Sequence, residues 1–177
     1  MIVVEDSSEK YSPRTYHNAG TADFTVAFAI DFETAGEKLT KKAAKEKYVA
    51  IHLSMDTIEA ARKLYVACKR HNVKKLNVAG NGIYSLIKQG WTQESLNQWV
   101  FDVISLVHKH WQLEVIISGG QTGVDFAGGV VGEALNLEPV MTFPKGYLQR
   151  NAKGFDIMNT EQKLLDEVKH YVSLLKI

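Results

Sequence analysis

The sequence predicts an α/β protein with a Rossmann-like open, mainly parallel sheet of about five strands and helices on both faces. Three observations carry this reading. Short β-branched and aromatic runs alternate with longer segments of helical periodicity. The runs are apolar at successive positions rather than at every second one, as in strands covered on both faces. Glycine turns follow two of the runs, at 80–82 and 119–123, where a parallel sheet presents its carboxyl ends.

Taken in order, residues 1–22, MIVVEDSSEKYSPRTYHNAGTA, are polar and broken by Ser12-Pro13 and Gly20. They read as an N-terminal arm, a short strand followed by a loop. FTVAFAI (24–30) is the first buried strand. The lysine-rich 33–47 reads as a helix with a solvated face, and YVAIHL (48–53) as the second strand. Ser54 and Asp56 offer N-cap chemistry for a helix over 56–71, whose Ile58, Ala61, Leu64, Tyr65 and Cys68 share one face. KLNVAGNG (75–82) is the third strand. Thr92 and Ser95 open a long helix with a buried stripe from Leu96 to Trp111. EVIIS (114–118), a helix over 123–136, EPVMTF (138–143), a long loop and a helix over 160–175 complete the chain.

A length of 177 residues fits one domain, here 1–177. Lysine plus arginine (21) nearly balances aspartate plus glutamate (20), so no global field recruits nucleic acid. The single cysteine, Cys68, excludes an intramolecular disulfide and a cysteine zinc site. No run has the length of a membrane span, and the polar start is no signal peptide. The expectation is a cytoplasmic protein with no membrane partner, no cofactor and no metal.

The stretch EVIISGGQTGVD concentrates the chemistry. A strand ends at Ser118, and Gly119, Gly120, Gln121, Thr122 and Gly123 lead into a helix. Glycines let a ligand approach backbone closely, and a helix N-terminus favours an anion, so the turn is a candidate phosphate seat. Asp125 has two open readings: a first-turn carboxylate kept ionised by the helix dipole, or an acceptor for a ribose hydroxyl or base edge. The spacing is neither the Rossmann fingerprint nor a Walker loop. In the second turn, Asn81 offers an amide to a ligand or simply turns the chain. Arg14, with Thr15, Tyr16, Asn18 and Asp23, lies ahead of the first buried strand as a phosphate, sugar or base reader, or as part of a solvated arm. Lys145, Tyr147 and Arg150 lie in the loop after the last strand, at the expected ligand rim. Gly128, Gly129 and Gly132 suit close packing of the helix on the sheet.

The segments IISGGQTGVDFAGGVVGEAL and PVMTFPKGYLQRNAKGFDI resemble the SLOG superfamily, over residues 112–157. This group joins the Lonely-Guy phosphoribohydrolases, the DNA-processing protein A family and nucleotide sensors of bacterial immunity. The turn is most similar to the Gly-Gly-Gln-Thr-Gly-Val-Asp branch of bacterial and phage proteins. The resemblance implies a nucleotide-type ligand, ADP-ribose-like or cyclic, seated on Ser118 to Gly123 and Asp125. The Lonely-Guy enzymes carry a catalytic glutamate after their glycine motif, where this chain has Phe126. The resemblance therefore implies a stand-alone binder that sequesters an immune signalling nucleotide, as phage anti-defence proteins do. The alternative is a nucleotide phosphoribohydrolase or N-glycosidase using Asp125 or Glu133. Related domains associate, and Trp91, Trp99 and Trp111 lead to the expectation of a homo-oligomer.

Overall fold

The computed structural model describes residues 1–177. Its elements are β1 (Ile2–Glu5), α1 (Tyr11–Thr21), β2 (Phe24–Ala29), α2 (Ala35–Ala44), β3 (Tyr48–His52), α3 (Thr57–His71), β4 (Lys75–Gly80), α4 (Ile83–Leu86) with a 3-10 turn at Ile87–Gln89, α5 (Gln93–His110), β5 (Val115–Ser118), α6 (Val124–Ala134), β6 (Val140–Phe143), β7 (Gln149–Arg150), β8 (Asp156–Ile157) and α7 (Glu161–Leu174).

Six strands form one sheet in the order β1-β6-β5-β4-β2-β3, every pair parallel. The central strands are largely apolar because both faces are covered: all six residues of β2 are buried, whereas edge strand β1 is mostly exposed. Helices α1 and α2 pack on each other, while α3, α5, α6 and α7 form a second packed layer. Right-handed crossovers place these layers on opposite faces. The chain leaves β2 toward one edge, to β3, and leaves β4 toward the other, to β5 and β6. The switch point therefore lies between β2 and β4, where a crevice opens beyond the strand ends.

Local chemistry sets the helix starts. Thr34 accepts the Glu37 N–H at 3.3 Å, Asp56 accepts those of Ile58 and Glu59, and Thr92 and Ser95 form a reciprocal capping box. Helix α6 carries glycines on its sheet side because strand side chains press directly against its backbone. A Cβ on Gly128 would meet Val78 Cβ at 2.9 Å, and one on Gly129 would enter the Met141 side chain.

The expected short strand at the N-terminus is β1, which joins the five apolar strands by pairing with β6. The structure departs from the sequence expectation in two places. The segment read as a loop after that strand is helix α1, which forms through Pro13, a residue that the first helical turn tolerates. The loop after β6 contains a small antiparallel pair, β7 with β8. No helix is long and apolar enough to cross a membrane. Trp91, Trp99 and Trp111 pack on the chain's own core, with Trp99 edge-on to Phe28 at 5.2 Å and Trp111 Nε1 donating to Val73 O at 2.7 Å.

Candidate ligand cavity

A cavity of about 360 Å³ opens at the switch point. This is within the range of small-molecule sites. Helices α1, α2 and α4, strand β4, the turn before α6 and Arg150 build its wall. Helix α1 contributes Tyr11, Arg14, Thr15 and Asn18, which lie on one helical face at spacings of three and four. The start of α2 contributes Glu37 and Thr40, the end of β4 contributes Asn77, Ala79 and Gly80 with Asn81 just beyond, α4 contributes Tyr84 and Ser85, and the turn before α6 contributes Gly119, Gln121 and Thr122, with Asp125 just inside the helix.

The central contact joins the two halves of the sequence. Arg14 Nη1 lies 3.2 Å from Asp125 Oδ2, with little of either side chain exposed. Burial raises the Asp125 carboxyl above its usual range, while the Arg14 charge and hydrogen bond, together with the Gly80 N–H, pull it down. Burial is the larger effect, so the net shift is upward, and Arg14 is the main force opposing it. Gly119 makes this approach possible. A Cβ there would collide with the Arg14 guanidinium and the Asp125 carboxylate.

Glu37 lies in the first turn of α2 and is 3% exposed. Its Oε1 accepts from Asn81 Nδ2 at 3.4 Å, and its Oε2 has no partner. Burial, then the nearby Asp125 and Asp31, push its carboxyl up to about 8, against the Asn81 hydrogen bond. Glu37 is thus mainly a neutral acid at pH 7. Two further buried atoms in the wall lack partners, Arg14 Nε and Asn18 Oδ1. Buried polar groups left without partners are uncommon and point to a ligand or water.

At the rim, Arg150 makes a two-pronged pair with Asp156, at 2.9 and 3.1 Å. The Tyr11 hydroxyl donates to the same carboxylate at 3.0 Å, and the Arg14 and Arg150 guanidiniums both face the Tyr11 ring. Hairpin β7–β8 is thereby tied to α1. It is also tied to the glycine turn: Arg150 N–H donates to Gln121 Oε1, Thr122 Oγ1 donates to Arg150 O, and Gln149 Nε2 donates to Gly120 O.

The residues singled out from sequence separate into two groups. Arg14, Asn81, Gly119, Gln121, Thr122, Asp125 and Arg150 meet around the cavity. Ser118, Gly120, Gly123, Lys145 and Tyr147 do not line it. Ser118 is fully buried at the end of β5, below α6. Gly120 has a positive φ of 66° and abuts the ring of core residue Phe143. Gly123 is held by Gln93, whose Oε1 accepts its N–H at 2.6 Å and whose Nε2 donates to its carbonyl at 2.9 Å. Lys145 is exposed, and Tyr147 packs against Phe143 at 6.1 Å.

The phosphate seat expected of the turn is reduced accordingly. The N–H groups of Thr122, Gly123 and Val124 already meet Gln121, Gln93 and Asn81. Asn81 is also spent: its Oδ1 accepts from Ile30 and Asp31, and its Nδ2 donates to Asp31 O and Glu37. Glu133 pairs with the Met1 amino group at 3.5 Å, away from the cavity. Asp23 caps the opposite side of the sheet, accepting from Lys74 and Lys75.

Sequence reading missed Glu37, Tyr11 and Thr40. The helical spacing of Tyr11, Arg14, Thr15 and Asn18 was the available signal for α1. Glu37, Thr40 and Ala44 lie on the buried side of α2, at a spacing masked by the surrounding lysines.

Residues 2–85 match the model of the circularly permutated YpsA SLOG family. No curated protein and no solved structure matches the chain. The matched span runs from β1 into α4 and includes Tyr11, Arg14, Asn18, Glu37 and Asn81, whereas the glycine turn lies outside it.

Proposed function

From the chain's membership of the SLOG superfamily, we propose that it binds a nucleotide-type ligand of the ADP-ribose or cyclic class in the switch-point cavity and holds it without turnover. The observation that carries this reading is the buried Arg14–Asp125 pair, which closes the matched segment onto the glycine turn at the rim where open α/β sheets receive ligands. A nucleoside-sized group suits the cavity, with carboxyl and amide side chains for its hydroxyls and base. Arg150 and the amides of Gly119 and Gln121, which no protein acceptor meets, are the groups nearest a phosphate. Sequestration of a signalling nucleotide is the corresponding biological role.

A hydrolase is the second reading, favoured by one observation. Glu37, largely neutral, and Asp125, paired with a cation, line one cavity. Two buried carboxyls of perturbed proton affinity in one cavity suit acid–base work. One experiment tests both readings. Small molecules released from the purified protein by denaturation are identified by mass spectrometry, and ADP-ribose-type and cyclic nucleotides are chromatographed after long incubation with the protein. Recovery of a bound nucleotide intact is the expected result. Multiple-turnover product formation sinks the holding role, and absence of any nucleotide binding sinks the assignment.

A further inference from the structure

We propose that Glu37 and Asn18 form a specificity subsite in the cavity wall, reading a neutral ligand edge that presents both a hydrogen-bond acceptor and a donor. A purine amino edge and a carboxamide share this chemistry. The proposal rests on the nucleotide reading above and deepens it.

Unmet hydrogen bonds mark this corner of the cavity. Glu37, Asn18 and Arg14 are 3%, 3% and 6% exposed, and each lines the cavity with a buried polar atom that nothing in the protein satisfies. An orphaned buried polar group costs about 1–3 kcal/mol. Three such atoms on adjacent helices are therefore expensive unless something binds there. Their polarity is specific. Glu37 Oε1 already accepts from Asn81, which leaves the proton of the neutral acid on Oε2 and makes Oε2 the donor. Asn18 Oδ1 is an acceptor. Arg14 Nε adds a second donor, although its guanidinium is committed to Asp125 through Nη1.

An anionic group is a poor match for this corner. The charged and titratable groups facing Glu37 are Asp125 on α6 with its partner Arg14 on α1, Asp31 in the loop after β2, and Tyr48 on β3. Two carboxylates against one committed arginine leave no free positive charge for phosphate. A neutral edge instead satisfies the donor and the acceptor without adding charge. Ionisation of Glu37 would turn its donor into an acceptor and set two like partners face to face. Binding is therefore expected to weaken as pH rises through about 8, the value to which Glu37 is pushed.

The test is calorimetric titration between pH 6 and pH 9.5 with ADP-ribose, nicotinamide mononucleotide and base-free ribose 5-phosphate. At least one of the first two should bind the wild type at least tenfold more tightly than ribose 5-phosphate. Which of them binds tells the purine edge from the carboxamide. That affinity should fall at least tenfold toward pH 9.5. Glu37→Gln, which keeps a donor and cannot ionise, should hold its affinity and lose the pH dependence. Glu37→Ala, checked for folding by its thermal transition, and Asn18→Leu should each weaken binding about tenfold or more at pH 7. Binding that ignores both Glu37 substitutions and the pH overturns the subsite and leaves the nucleotide reading standing. No binding of any probe to the wild type at any pH overturns the subsite and the ADP-ribose class of the nucleotide reading.

Discussion

Glu37 is costly to the free protein, and its protonation gives that cost a sign. Its folded-state pKa lies near 8, above the ordinary carboxylate value of 4.5. The native state therefore holds a proton that the unfolded chain gives up. Stability from this group is fully present below pH 4.5, declines as pH rises, and is lost above about 8. At pH 7 the penalty is on the order of 3 kcal/mol, from about 1.4 kcal/mol per unit. Glu37→Gln should stabilise the protein at pH 8 by an amount of that order and have little effect at pH 4. Thermal melts of both proteins across this range check the difference, and a constant offset would count against a buried neutral acid.

The paired glycines offer a second test at this scale. Gly119 faces the Arg14–Asp125 pair, whereas Gly120 faces Phe143 in the core at positive φ. Gly119→Ala should keep the fold and separate the pair, weakening nucleotide binding. Gly120→Val should lower stability itself, by about 2 kcal/mol or more, through strain and overpacking. Urea melts combined with ligand titration distinguish the two outcomes.

Among the elements, α1 and the turn before α6 matter most. Helix α1 is where the sequence suggested a loop, and Gly20 near its end has nothing within 4 Å of the position a Cβ would take. Gly20→Ala should therefore stabilise the protein by about 0.5–1 kcal/mol, since alanine is the better helix former and loses less entropy on folding. In a loop needing glycine's freedom the same change would destabilise, so the sign of the change in urea midpoint decides. The turn depends on Gln93 at the start of α5, which brackets Gly123 through both amide atoms. Gln93→Ala strands that peptide and should cost about 1–3 kcal/mol, together with a loosened α6 start. Amide hydrogen exchange at Gly123 and Val124 should show the loss.

For the whole molecule, the topology forbids division at the end of the matched segment. Strand β1 pairs only with β6, and β4 lies between β2 and β5, so residues 2–85 include strands whose neighbours lie in the second half. The large core cluster likewise draws on both halves, from Phe24 to Leu137. A fragment of residues 1–85 should show no cooperative thermal transition, whereas the full chain should melt as one. The tryptophans that prompted the expectation of self-association are half-buried against the chain's own core. Light scattering tests the association of copies; Phe155, Ile157 and Met158, at and beside β8, form a short stretch of exposed apolar side chains.

Sequence alone determined the parallel α/β class, because strands buried on both faces must be apolar at successive positions and helices must show their three-four period. It also singled out the glycine turn, and Arg14 and Asp125 as separate ligand-reading candidates, since few residue types serve such a turn or read a phosphate or ribose; that the two pair with each other only the tertiary structure decided. It did not determine strand order: β1 beside β6 is a contact between chain ends, and no local pattern encodes it. The cavity-lining position of Glu37 was hidden for the same reason. Among lysines it reads as one more solvated charge, and only the packing of α2 against α1, with Asn81 and Asp125 brought opposite, removes its water and changes its proton affinity. Burial and long-range juxtaposition arise when the sheet closes, and they decide which polar residues of a readable pattern become chemistry.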